Sequence, residues 1–308
     1  MPPSDAREAA TRKSPAASQV AAAIALMRPS QWVKNAFVLA PLFFSGKLNP
    51  SLIVDCVFGA LAFSLLSSAV YIFNDLCDLE SDRHHVKKRL RPLPSGRISI
   101  KAAIALAAAL FIASIAVVAA AGLPSQLYLV GATYIGINLA YSLGLKHVAV
   151  LELFMVSSGY ILRLLAGGII DGEALSPWIL VCTGLVSLML AVGKRRGDVA
   201  NEMDATGRRG SLKHYTVAYL DQLTTLLAGT TFVTYLLFCI SDYGMTRFGS
   251  DVTITAVFVL FGIFRFLQIV SVQNGGGSPT DMVLRDAPLR TTIVLWLAVF
   301  FVIIYVLR

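Results

Sequence analysis

The chain has 308 residues, 56% hydrophobic and only 14% charged, with a mean hydropathy of +0.71. Soluble domains carry about a quarter charged residues, so the composition excludes a water-soluble globular protein and predicts a polytopic membrane protein whose core is a helix bundle packed within lipid. The formal charge of +8 does not point to nucleic acid, because the basic residues fall in short loops between apolar runs, where they set topology.

Residues 1–20 are rich in Pro, Ser and Ala and contain no apolar core of the signal-peptide kind. They are expected to form a flexible cytosolic tail, with 21–308 as a single transmembrane domain. Nine apolar segments follow, each near the roughly 20 residues that a spanning helix needs: 24–45, 51–73, 101–121, 126–144, 148–170, 177–194, 222–241, 252–272 and 290–307. The first is the weakest, interrupted by Arg28, Pro29 and Lys34. The loop after the second segment carries Arg83, Lys87, Lys88, Arg89, Arg91, Arg97 and Lys101. The loop after the sixth carries Lys194, Arg195, Arg196, Arg208, Arg209 and Lys213. The loops on the other side are short and poor in Lys and Arg. The positive-inside rule then puts the N-terminus and both basic loops in the cytosol and the C-terminus outside; the expected location is the plasma (inner) membrane. The expected fold is an all-α polytopic bundle of about nine transmembrane helices. Cys56, Cys77, Cys182 and Cys239 are scattered and read as small core residues. His84, His85, His147 and His214 show no ligand spacing, so zinc is not expected.

The chemistry concentrates at the end of the second segment, in Asn74-Asp75-Leu76-Cys77-Asp78-Leu79-Glu80-Ser81-Asp82. Asp75, Asp78 and Asp82 are spaced i, i+3, i+7 and share one face if the helix continues, with Asn74 beside them. Clustered carboxylates at a membrane need a counter-ion. Mg²⁺ suits hard oxygens supplied by a few carboxylates and a bound phosphate. Arg83, Lys87, Lys88, Arg89 and Arg91 follow at once, and acid beside base predicts a metal–pyrophosphate site. A proton relay or a solvated charged loop is the competing explanation.

A second cluster ends the sixth segment on the same predicted side. Asp198 and Glu202 stand at i, i+4 with Asn201 beside them, and Lys194 and Arg195 lie one turn earlier. They offer a second metal position and phosphate contacts, or an ordinary i, i+4 ion-paired helix end. A bundle that brings the two clusters together would enclose one cytosol-facing cavity. Tyr141 and Lys146 end the fourth segment on that side; Lys146 either reaches phosphate or snorkels to headgroups. Arg163 lies mid-span and is expected to face a cavity or a partner, while Glu152 is expected to serve helix packing. Lys34 and Asn35 are candidates to point into the cavity. The loop from Asn274 to Asp281 is glycine-rich and reads as a weak phosphate cradle or a lid.

Asn74-Asp75-x-x-Asp78-x-x-x-Asp82, followed by Lys87-Lys88-Arg89-Leu90-Arg91-Pro92-Leu93-Pro94-Ser95-Gly96, resembles the first signature of the UbiA-type intramembrane prenyltransferase superfamily. The resemblance spans nearly the whole chain past the tail. Most aromatic prenyltransferases of that superfamily carry a second Asp-x-x-x-Asp motif. This chain departs from it, with Gly193-Lys194-Arg195-Arg196-Gly197-Asp198 and Glu202 in place of the second Asp. With Arg28-Pro29-x-Gln31-Trp32-Val33-Lys34-Asn35, Tyr141-Ser142-x-Gly144-Leu145-Lys146-His147 and Ser157-Ser158-Gly159-Tyr160-x-x-Arg163-x-x-Ala166-Gly167-Gly168, it is similar to the branch of decaprenyl-phosphate phosphoribosyltransferases.

That resemblance implies a UbiA-like fold and a Mg²⁺-dependent transfer of 5-phosphoribosyl from phosphoribosyl pyrophosphate to a polyprenyl phosphate, for cell-wall polysaccharide synthesis. Asp75, Asp78 and Asp82, with Asp198, would hold the metal on pyrophosphate and Asn74 would orient it. Lys87, Arg91, Lys194 and Arg195 would grip phosphate oxygens, and Lys34, Asn35, Tyr141, Lys146 and Arg163 would line the substrate site. The alternatives are an aromatic-acceptor prenyltransferase using a prenyl diphosphate, as in quinone or haem biosynthesis, and a lipid or ion transporter using the acids as a relay.

Overall fold

The structure is a computed structural model that describes residues 15–86, 88–201, 210–272, 282 and 285–307. Among these residues every regular element is helical. In chain order they are α1 (Pro15–Met27), a 3₁₀ segment Pro29–Val38, α2 (Ala40–Ser45), α3 (Pro50–Cys77), α4 (Leu79–Arg83), α5 (Ile100–Ala120), α6 (Gln126–Leu143), α7 (Leu151–Asp171), α8 (Pro177–Asn201), α9 (Val217–Ile240), α10 (Asp242–Phe248), α11 (Ala256–Ser271) and α12 (Ala287–Tyr305).

Local signals start these helices. Asn49 Oδ1 accepts the Ser51 N–H (3.0 Å) ahead of Pro50 in α3. Ser99 caps α5 through Ala102 N–H (3.2 Å), Thr216 caps α9 through Tyr219 N–H (3.1 Å), and Asp286 caps α12 through Leu289 N–H (2.9 Å). Such caps contribute about 1 kcal/mol each.

Among the described residues, seven helical stretches are long and apolar enough to cross a membrane: α3, α5, α7, α8, α9, α11 with its preceding 3₁₀ turn, and α12. The 18-residue α6 is less apolar, diluted by Gln126, Asn138 and three tyrosines. The first expected span, 24–45, is not one helix. Pro29 restricts the residue before it, and Arg28 takes a left-handed conformation (φ 54, ψ 60) that ends α1. The chain then runs as a ten-residue 3₁₀ strap into the short α2. Helix α1 begins at Pro15, inside the expected tail of residues 1–20.

Two helices form the axis of the bundle. In α3 and α7, 61% of the membrane-length window is buried against protein, compared with 22% in α5 and α12. Helix α3 packs on α5, α6 and α7; beyond them α7, α8, α9, α11 and α12 follow pairwise. Helix α2 closes the ring against α12, with Phe44 edge-on to Phe300 (5.2 Å) and Tyr305 donating to the Phe43 carbonyl (2.7 Å).

The 3₁₀ strap lies between α3 and α7. It fits because position 167 is glycine: a Cβ there would collide with the Val38 carbonyl and with Pro41. Asn35 and Arg163, expected to face substrate, instead hold the strap in place. Arg163 Nε donates to Asn35 Oδ1 (2.6 Å) and Nη1 to the Gly159 carbonyl (2.6 Å). Its guanidinium lies over the rings of Phe63 (5.5 Å) and Tyr134 (5.3 Å), and Asn35 Nδ2 donates to Ser64 Oγ (2.8 Å). Both residues are buried. Eleven residues along α7 separate Arg163 from Glu152, a backbone rise of about 16 Å, and the guanidinium reaches one turn back toward Glu152, to the Gly159 carbonyl.

Candidate active site

Helix α3 has 28 residues and is roughly 40 Å long, more than the roughly 30 Å hydrocarbon core. Its last turn therefore carries Asn74 and Asp75 to the rim. The helix then stops: Asp78 leaves helical geometry (φ −92, ψ 0) and α4 restarts at Leu79. This corrects the expectation of one continuous acidic face. Asp75 and Asp82 are 2% and 0% exposed and share one guanidinium, Arg91 Nη1, at 3.2 and 2.9 Å. Arg28 also pairs with Asp75 and lies over the Tyr71 ring (5.1 Å). Asp78 pairs with Lys146, which follows α6.

Asn74 joins the α3 and α6 ends. Its Oδ1 accepts from Ser142 Oγ (3.0 Å), and its Nδ2 donates weakly to Asp78 Oδ2 (3.4 Å). Tyr141, from the same α6 end, accepts from Arg195 Nη2 (3.4 Å) and lies within electrostatic reach of Asp78. The two clusters expected from sequence thus meet at one end of the bundle, with Tyr141 between them.

Helix α8 continues beyond its apolar run and carries the second cluster. Its three consecutive cations diverge. Arg196 is spent internally, on Asp221 (3.1 Å) and on the Val270 carbonyl that ends α11 (2.8 Å). Arg195, expected to grip phosphate, is held by Glu152 through Nε (2.5 Å) and Nη2, and by Asp198 through Nη1 (3.0 Å). Lys194 is exposed but ringed by protein, within electrostatic reach of Asp198, Arg195, Lys34 and Arg28. Lys34, on the strap, thus lies near the α8 cluster.

Beneath this wall, Tyr215 accepts the Val150 N–H (2.6 Å) and donates to Glu152 Oε1 (3.4 Å). Burial pushes its phenol above the ordinary range, so it remains a donor. Lys87, Glu202 and Asp281 lie outside the described residues, as do the remainder of the 274–281 loop and the Asn201 side chain.

Arg28, Glu152 and Tyr215 are the site residues that sequence reasoning missed. Arg28 had a signal, a cation at a helix-breaking proline. Glu152 had a weaker one, an acid in an apolar helix with no base three or four residues away. Nothing local marks Tyr215.

Among the described residues, no three His, Cys, Asp or Glu side chains converge to cage a metal ion by themselves. Guanidiniums and an ammonium stand between the acids. The donor set is still all oxygen: carboxylates of Asp75, Asp78, Asp82 and Asp198, and the Asn74 amide. It fits a small hard cation such as Mg²⁺, which takes one or two carboxylates and completes its shell with water and phosphate oxygens.

Comparison with known proteins agrees with this architecture. The profile described as the UbiA prenyltransferase family matches residues 35–281. The decaprenyl-phosphate phosphoribosyltransferase of Mycobacterium tuberculosis H37Rv is 36% identical over 291 residues, covering 92% of this chain and 94% of that protein. The protein of the same name from Corynebacterium glutamicum is 33% identical over 290 residues, covering 92% and 87%. A solved UbiA homolog from Archaeoglobus fulgidus, bound to GPP and Mg²⁺, superposes with a TM-score of 0.68 at 18% identity, over 92% of this chain and 99% of that one. That structure shares the fold; the profile and the near-full-length relatives carry the kinship. The chain belongs to the UbiA prenyltransferase family.

Proposed function

We propose that this chain is a membrane phosphoribosyltransferase. It moves 5-phosphoribosyl from phosphoribosyl pyrophosphate to a polyprenyl phosphate, decaprenyl phosphate by analogy with its relatives' names, and releases pyrophosphate. The product serves cell-wall polysaccharide synthesis. One observation carries the reading: Lys194 lies within electrostatic reach of Lys34 and Arg28, and Arg28 in turn pairs with Asp75 at the end of α3. The cavity therefore offers cations for a phosphate beyond a metal-bound diphosphate. A prenyl diphosphate has no such third phosphate, and the donor's 5-phosphate does.

In the reaction the bond from ribose C1 to pyrophosphate breaks, and its electron pair leaves with pyrophosphate. An oxygen of the lipid phosphate forms the new bond at C1. That oxygen is already anionic at neutral pH, so no general base is required. Arg91, Lys146 and Lys194 meet phosphate oxygens and balance charge as it moves onto the leaving group. Asn74 and Tyr141 orient the donor. Asp75, Asp78 and Asp82, with Asp198 opposite, would hold Mg²⁺, which when bound supplies further charge neutralisation on the pyrophosphate. In-line attack inverts C1.

The same reading places residues 21–308 in one domain of a plasma membrane, with the N-terminus and site facing the cytosol. The site end carries Arg83, Lys88, Arg89, Arg91, Arg97 and Lys146, and the opposite end carries Lys47 and Arg247. A soluble, highly anionic donor arrives from the side that the cations face.

The test is label transfer. Membranes containing the chain, given Mg²⁺, polyprenyl phosphate and ribose-labelled donor, should move label into the lipid phase with inversion at C1. Retained configuration excludes the single displacement. Label passing instead from a prenyl diphosphate to an aromatic acid would replace the reading with an aromatic-acceptor prenyltransferase. Transport without covalent product would replace it with a carrier.

A further inference from the structure

We propose that Glu152 is a positioning residue for this reaction. It commits Arg195 to the protein, so that Lys194 alone meets phosphate from α8 while Tyr141 and Asp198 keep fixed places on the cavity wall. The inference deepens the phosphoribosyl-transfer reading and rests on it.

The hydrogen bonds of Arg195 carry the argument. Nε and Nη2 engage the two oxygens of Glu152 side by side, Nη2 also reaches Tyr141, and Nη1 holds Asp198. Two carboxylates surround one guanidinium, leaving the trio a net charge of −1. It has no positive charge to offer an anionic donor. Glu152 is 0% exposed, and a carboxylate buried that deeply needs a well-formed partner. The paired, side-by-side geometry supplies it.

The backbone beneath Glu152 is strained. Helix α7 begins at a γ-turn, in which the Ala149 carbonyl accepts the Leu151 N–H (2.8 Å) around Val150 at φ 67, ψ −51. A β-branched residue in that conformation costs about 1–3 kcal/mol. No side chain caps the helix there, so capping does not explain the turn. Tyr215, 1% exposed, holds it: its hydroxyl accepts the Val150 N–H and donates to Glu152. Among the described residues, Val150 and Arg28 are the two non-glycine residues at positive φ. Arg28 pairs with Asp75 and Val150 is held by Tyr215, so both lie at the site end of the bundle. The strained turn sets Glu152 under Arg195, and Arg195 in turn sets Tyr141 and Asp198.

A packing role alone, tying α7 to α8, makes a different prediction. Glu152→Gln keeps the shape and removes the charge. If Glu152 only packs, each folded molecule turns over as before. If it positions and neutralises Arg195, turnover falls while a cation is released toward the donor.

The test uses the full chain, purified in lipid nanodiscs, as wild type, E152Q, R195Q, E152Q/R195Q and Y215F. Turnover, donor KM, binding of inorganic pyrophosphate with Mg²⁺, and melting are measured. For E152Q we expect kcat to fall about tenfold to a hundredfold, with donor KM unchanged or lower and pyrophosphate bound as tightly or more so. Y215F should show the same pattern with a smaller loss. R195Q strands a buried carboxylate and should melt below E152Q/R195Q. The double variant should turn over no more slowly than R195Q, because Glu152 acts through Arg195. Wild-type kcat in E152Q, or losses that multiply in the double variant, overturns the proposal. Should E152Q not accumulate, the double variant and Y215F decide on the same criteria. If wild type transfers no ribosyl label, the donor assignment fails, while pyrophosphate binding and the melting cycle still report on Glu152.

Discussion

At the site end of the bundle, Asp75, Asp82 and Glu152 are almost wholly buried, and each meets an arginine from another segment. At the opposite end Lys47 reaches Glu173 at 2.5 Å, and Arg247 reaches the same carboxylate at 3.6 Å, with all three side chains more than a third exposed. The residue types are the same and the energetics are not. An exposed pair contributes roughly 0–1 kcal/mol, because water and salt screen it. Breaking a buried pair costs about 3–5 kcal/mol, because one charge is left without solvent or partner. Burial makes the site end a set of interdependent charges and leaves the other end a set of nearly independent ones. It also explains why both backbone outliers, Arg28 and Val150, lie at the site end: only a tightly constrained surrounding holds strain in place.

The sharpest way to break this contrast is at Asp78. Asp78→Ala should cut turnover about a thousandfold or more, while the protein still inserts, since Asp78 and Lys146 are both partly exposed. Activity near wild type in Mg²⁺-replete membranes would remove this carboxylate from the chemistry. Next in size, Lys194→Ala should weaken donor binding about tenfold to a hundredfold, the worth of a charged hydrogen bond. Melting should hardly change, because Lys194 is exposed. A competition assay with the unlabelled donor reads this directly.

Gly167→Ala tests whether the strap positions the site from below. The added methyl meets the Val38 carbonyl and Pro41, so the strap must shift, at a cost of about 1–3 kcal/mol. Both a lower melting temperature and a raised donor KM are expected, since the strap carries Lys34. Melting that falls without any change in KM would separate the strap from the site.

The smallest effect belongs to the opposite end. The hydrogen bond from Lys47 holds the Glu173 carboxyl below its usual range. The folded value is lower than the unfolded one, so the stabilisation is full above the ordinary carboxylate range and fades as pH falls through the folded value. Glu173→Gln should therefore melt slightly below wild type at neutral pH, by less than about 1 kcal/mol, and the two should converge below about pH 4. A large difference would place this end among the buried, coupled charges and remove the contrast.

Much of this molecule is legible in a line of residues. Apolar runs of spanning length, broken by capping residues such as Asn49, Ser99 and Thr216, specify helices and their ends through local hydrogen bonds and hydration. The acids at 75, 78 and 82 and the cations beyond them mark the chemistry, because charge is too costly near lipid to occur there without use. Arg28-Pro29 even signals the interruption of the first span. Partner choice is another matter. Arg28 meets Asp75 across 47 residues, Glu152 meets Arg195 across 43, and Asn35 meets Arg163 across 128. Helical periodicity records which face of one helix a side chain occupies, and carries nothing about which distant helix will pack there. That is why helical position alone leaves Arg163 and Arg195 as substrate candidates, while the fold pairs Arg163 with Asn35 and Arg195 with Glu152 and Asp198. Only the packing of α3, α7 and α8 at one end of the bundle decided which charges neutralise one another.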